Sequence, residues 1–152
     1  MDKHLYFDDC AQTIDDGKMS AVSEVMSSRK IITVDIGTDP FLMDVTRLMI
    51  KNEVGSVIMV DSQKKPIGII TERDLLKNIY AASKFPKDIA AKDIMSSPVL
   101  TVKTIDSVET ASAVMTKNKI KRLVALEQDV SVAGVLSVTD NKKTCENTYQ
   151  RL

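Results

Sequence analysis

Aromatic residues and net charge are both scarce in this sequence. It contains no tryptophan and only three tyrosines and three phenylalanines among 152 residues, and its 21 basic and 21 acidic side chains cancel. Proteins that bind nucleic acid use a basic surface and aromatic side chains on which bases stack. The basic stretch KNKIKR at 117–122 does not supply such a surface by itself, so nucleic acid is an unfavoured partner.

Cysteine and histidine are scarce as well. Cys10 and Cys145 lie near opposite ends without CxxC spacing, which predicts neither a disulfide framework nor a zinc site. His4 is the only histidine, and we interpret His4, Cys10 and the nearby aspartates as solvated tail residues, which predicts no metal. The sequence lacks a catalytic pair of cysteine and histidine, and it lacks the motifs GxxxxGK[ST] and GxGxxG. We therefore predict that the chain is not an enzyme.

Long hydrophobic runs are also missing. No stretch approaches the roughly 18 to 20 apolar residues that cross a bilayer, and the best run, VSVAGVLSV at 130–138, is typical of strands. The first 18 residues are acidic and broken by charges, so they lack the apolar core of a signal peptide. We therefore expect no membrane partner and an intracellular, cytoplasmic location.

The sequence does contain an internal repeat, which decides the architecture of the whole chain. Residues 68–74 read GIITERD, and residues 134–140 read GVLSVTD, the same pattern with most letters changed. Two further pairs recur in the same order: EVMSS at 24–28 with DIMSS at 93–97, and IITV at 31–34 with VLTV at 99–102.

Each copy continues with a predicted helix. In the first copy we expect Asp39 as the N-cap and Pro40 at the first helical position, followed by an apolar stripe of Leu42, Val45, Leu48 and Met49. In the second copy Asp106 precedes Glu109 at capping-box spacing, and the stripe is Val108, Ala111 and Met115.

Short runs of branched apolar residues follow each helix and predict two strands per copy. The first copy then ends in an amphipathic helix, DLLKNIYAAS at 74–83, with Leu75, Leu76, Ile79 and Tyr80 on its apolar face. The second copy ends in the polar sequence DNKKTCENTYQRL, which predicts a weak or frayed helix. The predicted strands are 57–60, 67–70, 123–126 and 133–136.

Each copy therefore contains a strand, a helix, two strands and a helix over roughly 50 residues, a size at which a single core is marginal. This predicts an α/β (α+β) fold in which two pseudo-two-fold-related βαββα repeats pack through their sheets. We divide the chain into a tail or added helix at 1–18, a first repeat at 19–83 and a second repeat at 84–152, with 77–93 as the link.

Residues 22–143 resemble a tandem pair of CBS domains, also called a Bateman module. The resemblance rests on a repeated order of a hydrophobic residue with Met, a short spacer, TV, a helix, VGSVIMVD and GIITERD. The resemblance implies a stand-alone regulatory module that binds an adenosine compound in clefts between its repeats and signals to an effector protein. AMP, ADP or ATP would then be a regulatory ligand and not a catalytic cofactor. Similar modules pair through their helices, so we also expect a homodimer. The alternative is a ligand-free interaction or dimerisation scaffold.

Asp74 and Asp140 are placed for ribose recognition, because one carboxylate accepts hydrogen bonds from both hydroxyls of the sugar. By resemblance, Thr71 or Ser137 helps to hold the ribose or a phosphate. T-x-x-D and S-x-x-D after a strand are also helix-start sequences, in which the hydroxyl only caps the next turn. We favour ligand contact for Asp74 more than for Asp140, because Asp140 precedes the weaker helix.

The resemblance also divides the predicted contacts between two unequal clefts. Only the first carries cations at its strand entrance, Lys121 and Arg122, and these favour a ligand with at least one phosphate. Arg73 is a third candidate cation, with a solvated arginine as the alternative, and Gly68 and Gly134 are expected to let the sheets or a ligand approach closely. The first cleft comprises Thr71, Arg73, Asp74, Leu100, Ile120, Lys121 and Arg122, and the second comprises Ile32, Val54, Gly55, Ser56, Ser137 and Asp140.

Overall fold

The computed structural model describes residues 20–26, 31–81 and 85–138. They belong to two compact units. One, here called the central unit, spans residues 29–99, and the other, the outer unit, combines residues 1–28 with 100–152. Among the described residues, no helix has both the length and the apolar character that a membrane span requires.

The central unit is a three-stranded sheet covered by helices. The middle strand, β2 (Ser56–Val60), runs parallel to β1 (Thr33–Asp35) and antiparallel to β3 (Pro66–Thr71). Short 3-10 turns lie at Ile36–Thr38 and Pro86–Asp88. The elements in chain order are β1 Thr33–Asp35, α2 Leu42–Asn52, β2 Ser56–Val60, β3 Pro66–Thr71, α3 Glu72–Ala81 and α4 Ala91–Ile94.

The outer unit repeats this plan. Its sheet has the strand order β4 (Thr101–Lys103), β5 (Arg122–Leu126) and β6 (Val132–Ser137). The first pair is again parallel and the second antiparallel. The mixed α+β fold class and the four predicted strand runs are therefore confirmed within the described residues. The elements are α1 Val22–Val25, β4 Thr101–Lys103, α5 Val108–Asn118, β5 Arg122–Leu126 and β6 Val132–Ser137.

Each unit has its own hydrophobic core. The predicted stripe of α2 is confirmed, with Leu42, Val45 and Met49 buried and Leu48 partly buried. In α5, Ala111 and Met115 are buried, whereas Val108 is half-buried. The central core is completed by Val34, Val57, Met59, Ile70, Leu75, Ile89, Ala91 and Ile94, and the outer core by Val22, Val102, Leu123, Ala125 and Leu136.

Helix α2 does not begin as the sequence suggested. The predicted N-cap, Asp39, is wrong: it has a positive φ of 46°, and its N–H donates to Ile36 O, so it ends the preceding 3-10 turn. The N-cap is Phe41, whose N–H donates to Asp44 Oδ2 at 3.1 Å. Phe41 also forms an isolated antiparallel bridge with Ala90, which fixes the entry of the chain into the helix.

Helix α5 begins one residue later than the predicted capping box. Its N-cap is Ser107, whose Oγ accepts a hydrogen bond from Thr110 N at 3.1 Å. The carboxylate of Asp106 instead accepts from Lys103 N at 2.8 Å and closes the turn after β4. The predicted box with Glu109 is therefore wrong, because Asp106 is already used on its N-terminal side.

The short helices α1 and α4 hold the starts of the two longer helices. The N–H of Leu42, the first residue of α2, donates to Ile89 O, and Ala91 N donates back to Pro40 O, both at 2.8 Å. In the outer unit, Val108 N donates to Ser20 O at 3.0 Å, and Val22 N donates to Asp106 O at 2.8 Å. The first N–H groups of a helix have no hydrogen-bond partner inside the helix. In each unit, the start of the short helix and the start of the longer helix therefore provide backbone hydrogen bonds to one another.

Helix α3 buries only part of its predicted apolar face. Leu75 is buried against the central core, as expected. Leu76, Ile79 and Tyr80 are 60%, 47% and 89% exposed. The polar sequence at the end of the second copy lies outside the described residues.

Candidate functional site

The signature GIITERD forms a strand end and the first turn of a helix. Ile69 and Ile70 are buried in β3, and the strand ends at Thr71, where α3 follows at once. Thr71 and Asp74 are half-buried, whereas Arg73 is exposed. Burial of Ile69 and Ile70 therefore anchors the signature in the core, and its polar residues lie at the end of the sheet.

Thr71 and Asp74 are joined by two short hydrogen bonds. The backbone N–H of Thr71 donates to Asp74 Oδ2 at 2.8 Å, and the Thr71 hydroxyl donates to the same oxygen at 2.7 Å. A carboxylate three residues into a helix that accepts the N-cap N–H is half of a capping box. The Asp74 carboxylate therefore caps the start of α3, whereas the sequence-based capping interpretation assigned that role to the Thr71 hydroxyl.

Four residues predicted for the second cleft lie at the same end of the central sheet. Ser56 is the register partner of Thr71, and Glu72 N donates to Gly55 O at 3.2 Å. Ile32 O accepts from Ile58 N at 2.9 Å just before β1. The beginnings of β1 and β2 and the end of β3 thus bring together Ile32, Val54, Gly55, Ser56, Thr71 and Asp74.

The outer unit gathers the matching residues in the same way. Arg122 is the register partner of Ser137, and Val138 N donates to Lys121 O at 3.1 Å. Leu100 O accepts from Val124 N at 3.2 Å beside the start of β4. Ile120 follows the left-handed residue that ends α5 and packs against the outer core. Asp140 lies outside the described residues.

The two sheet ends differ in charge. Gly55 precedes β2 and Ser56 starts it, whereas Lys121 precedes β5 and Arg122 starts it. Lys121 is exposed, and Arg122 is half-buried. Neither cation forms a salt bridge with another residue in the described part of the chain. Each predicted cleft draws on both units, so its assembly stays a prediction.

Gly68, where the sequence predicts a close approach of the sheets or a ligand, is approached closely by the segment after α4. A Cβ at this position would lie 2.6 Å from Met95 Sδ and 3.3 Å from Ser96 O. The segment after α4 runs along β3, where Ile69 and Ser96 exchange two backbone hydrogen bonds of 3.1 and 2.9 Å. The pairing of DIMSS with β3, which is not visible in the sequence, places these atoms beside the glycine.

Metal ligands are not clustered in the described residues. No group of three or more His, Cys, Asp or Glu side chains there is arranged to hold a metal ion. His4 and Cys10, the tail residues considered from the sequence, lie outside the described residues.

Comparison with known proteins identifies both copies of the repeat. The family model of the CBS domain matches residues 22–81 and 91–140. A curated relative, the uncharacterized protein MK0525 of Methanopyrus kandleri, is 35% identical over 98 residues, which are 64% of this chain and 50% of the relative. This chain spans 22% and 58% of the length of two other curated relatives.

Solved structures share the fold. The CBS domain protein PAE2072 from Pyrobaculum aerophilum, in complex with AMP, has a TM-score of 0.69 and 25% identity, with 80% of this chain and 89% of that chain covered. The CBS domain pair of protein MJ0100, in complex with 5′-methylthioadenosine and S-adenosyl-L-methionine, has a TM-score of 0.73 and 22% identity. The likeness covers 86% of this chain and 98% of that chain.

Proposed function

Because this chain belongs to the CBS-domain family, we propose that it is a regulatory module whose ligand is an adenine nucleotide or another adenosine compound, of the AMP, ADP and ATP class. The observation that carries this proposal is the half-buried carboxylate of Asp74, held at the end of β3. The complex of the Pyrobaculum aerophilum protein with AMP supports the choice of ligand.

Asp74 suits a sugar because a carboxylate accepts hydrogen bonds and donates none when ionised. Both hydrogen bonds from Thr71 go to Oδ2. Within the described residues, Oδ1 accepts no further hydrogen bond, so it is available to a ribose hydroxyl.

The phosphate is assigned to Lys121 and Arg122. A guanidinium binds two phosphate oxygens at once, and both cations lack an acidic partner in the described part of the chain. Arg73, which is exposed, is a weaker candidate. We therefore expect the protein to bind AMP more tightly than adenosine when both affinities are measured at the same ionic strength.

We expect Asp74→Ala to weaken AMP binding by roughly 10- to 150-fold, because hydrogen bonds to a charged group contribute about 1.5–3 kcal/mol. Isothermal titration calorimetry with AMP, ADP, ATP and S-adenosylmethionine measures this effect. The matched control is Glu72→Ala, which removes an exposed carboxylate from the same first turn. Equal affinity of Asp74→Ala and the wild-type protein would contradict the assignment.

The alternative function, a ligand-free scaffold, gives the opposite result. Bound AMP at a hundredfold excess over its dissociation constant raises the free energy of unfolding by about 2.7 kcal/mol. A scaffold shows neither heat of binding nor thermal stabilisation with any of these adenosine compounds. The same titration therefore separates the two functions.

Regulation requires that the ligand favour one state of the module over another. We propose that the nucleotide acts on an effector protein in this way, and that the chain itself does no catalysis.

A homodimer is part of the proposal. Its support is the exposed apolar face of α3, where Leu76, Ile79 and Tyr80 recur at helical spacing.

A charged substitution on the exposed apolar face of α3 tests the proposed dimer. We expect Ile79→Lys to shift the protein from dimer to monomer, the monomer having a mass of 16.8 kDa, because the charge would have to be buried between the two copies. Sedimentation velocity measures the mass. Ile105→Lys is the control, since Ile105 is also exposed but lies in the outer unit; an equal effect of both variants would remove α3 as the interface.

A further inference from the structure

Two exposed apolar side chains lie at the end of the outer sheet where β4 and β5 finish. Ile105, in the turn after β4, is 62% exposed, and Val130, in the turn between β5 and β6, is 52% exposed. Hydrogen bonds join the two turns: Thr104 N donates to Leu126 O at 3.0 Å, and the Thr104 hydroxyl donates to Glu127 Oε2 at 3.1 Å. The turns are therefore adjacent, and we call Ile105 and Val130 the apolar tip.

Val130 has an unfavourable backbone conformation. Its φ is 70°, in the left-handed region that a β-branched residue rarely adopts, and its N–H donates to Glu127 O at 3.0 Å. Lys64, at the equivalent position of the central unit, has a φ of 64°, and its ammonium group reaches Asp35 at 3.4 Å. Strained positions cluster at functional contacts. An exposed valine with this strain therefore indicates an apolar contact that offsets its cost.

The N-terminal segment of the chain enters the outer unit beside the apolar tip. Ser23 N donates to Thr104 O at 3.0 Å, next to Ile105 in the same turn. Residues 5–7 read LYF and include one of the three tyrosines and one of the three phenylalanines of the chain. Residues 8–19 link LYF to the described chain and span up to about 40 Å when extended. The apolar run is therefore within reach of the tip.

The C-terminal segment leaves the outer unit at the other end of the sheet. Strand β6 begins at Val132 beside the tip and ends at Ser137, which pairs with Arg122 at the start of β5. This strand separates the two ends of the sheet by about 17 Å. The sequence that follows it, DNKKTCENTYQRL at 140–152, is mostly polar. Position and composition therefore both favour the N-terminal segment as the occupant of the tip.

We propose that Leu5, Tyr6 and Phe7 dock on the apolar tip of their own chain. Docking removes the exposed surface of Ile105 and Val130 from water, which is favourable. The covalent link gives the segment an effective concentration of roughly the millimolar range, so a small contact area is sufficient. The tip is thus a docking surface for a segment of the same molecule, independent of the proposed ligand.

Cleavage of the full chain by chymotrypsin after Tyr6 and Phe7 tests the docking. A docked segment is cut only when it opens, and mass spectrometry follows the initial release of the N-terminal peptide. Each rate is compared with that of a synthetic peptide of residues 1–18. We expect roughly tenfold protection in the wild-type protein and about fivefold less in Val130→Asn and in Ile105→Asn, the effect of half-burying one apolar side chain.

Val130→Asn separates docking from a loss of stability. Asparagine tolerates the left-handed region, so this variant should unfold in urea at no lower concentration than the wild-type protein while its N-terminal segment is cut faster. Lys64→Asn makes the same change in the equivalent turn of the central unit and should keep wild-type protection. Val130→Gly replaces Val130→Asn if the asparagine variant does not fold.

Three results would overturn the docking. Wild-type protection in both Val130→Asn and Ile105→Asn would show that the segment does not contact the tip. A wild-type protein cut as fast as the free peptide would show that the segment does not dock. Protection that rises with protein concentration would show that the tip binds a second copy of the chain, because docking within one chain is independent of concentration.

Discussion

A fragment of residues 29–83 is expected to remain unfolded in water, whereas a fragment of residues 29–99 folds. The shorter fragment lacks Ile89, Ala91 and Ile94, which are buried in the central core. It also lacks the carbonyl of Ile89 that accepts the first N–H of α2. Burial of a large aliphatic side chain contributes about 1.5–3 kcal/mol, so the combined loss is comparable with the about 5–15 kcal/mol that stabilises a small domain.

Far-ultraviolet circular dichroism and urea unfolding of both fragments measure this difference. The longer fragment should unfold cooperatively, and the shorter one should show no transition. A third fragment, 29–99 with Lys92→Ala, is the control, because Lys92 is exposed in α4 and only its salt bridge with Asp39 is removed. Equal stability of fragments 29–83 and 29–99 would show that α4 is dispensable for the central core.

The second large effect concerns the outer unit. We expect Val22→Asp in the full chain to destabilise that unit by about 3–5 kcal/mol, because it places an unpaired carboxylate in a core from which water is excluded. Val22 has no exposed surface and packs with the outer core. The loss should lower the urea midpoint at which the outer unit unfolds.

Ser23→Asp is the matched control for this substitution. Its side chain is exposed one residue further along α1, and the backbone bond from Ser23 N to Thr104 O does not depend on the side chain. A small effect of Ser23→Asp beside a large effect of Val22→Asp identifies burial as the cause. If both variants were as stable as the wild-type protein, α1 would not belong to the outer core.

The periodic parts of the fold were predictable from the sequence. Strands of branched apolar residues and the stripe of Leu42, Val45 and Met49 follow directly from burial of one face. The helix starts were not predictable, because Phe41 and Ser107 are set by bridges to Ala90 and Ala21, residues distant in the chain. Capping patterns describe only local chemistry, and here tertiary pairing decides between neighbouring candidates.

The candidate site was predictable in its residues and not in its bonding. The sequence singled out Asp74 and Thr71 and left capping and ligand contact as alternatives. Coordinates were needed to see that the Thr71 hydroxyl donates to the carboxylate. The close approach of Met95 to Gly68 also required coordinates, since it joins two segments whose pairing no local pattern predicts.

The pairing of Ser96 with β3 also bears on aggregation. A strand at the border of a sheet presents unpaired N–H and C=O groups, to which another polypeptide can add as a further strand. At Ile69 both backbone groups are taken by Ser96, and the Ser97 hydroxyl occupies the carbonyl of Ile67 at 2.8 Å. The segment after α4 thereby protects an apolar strand border from intermolecular β-pairing.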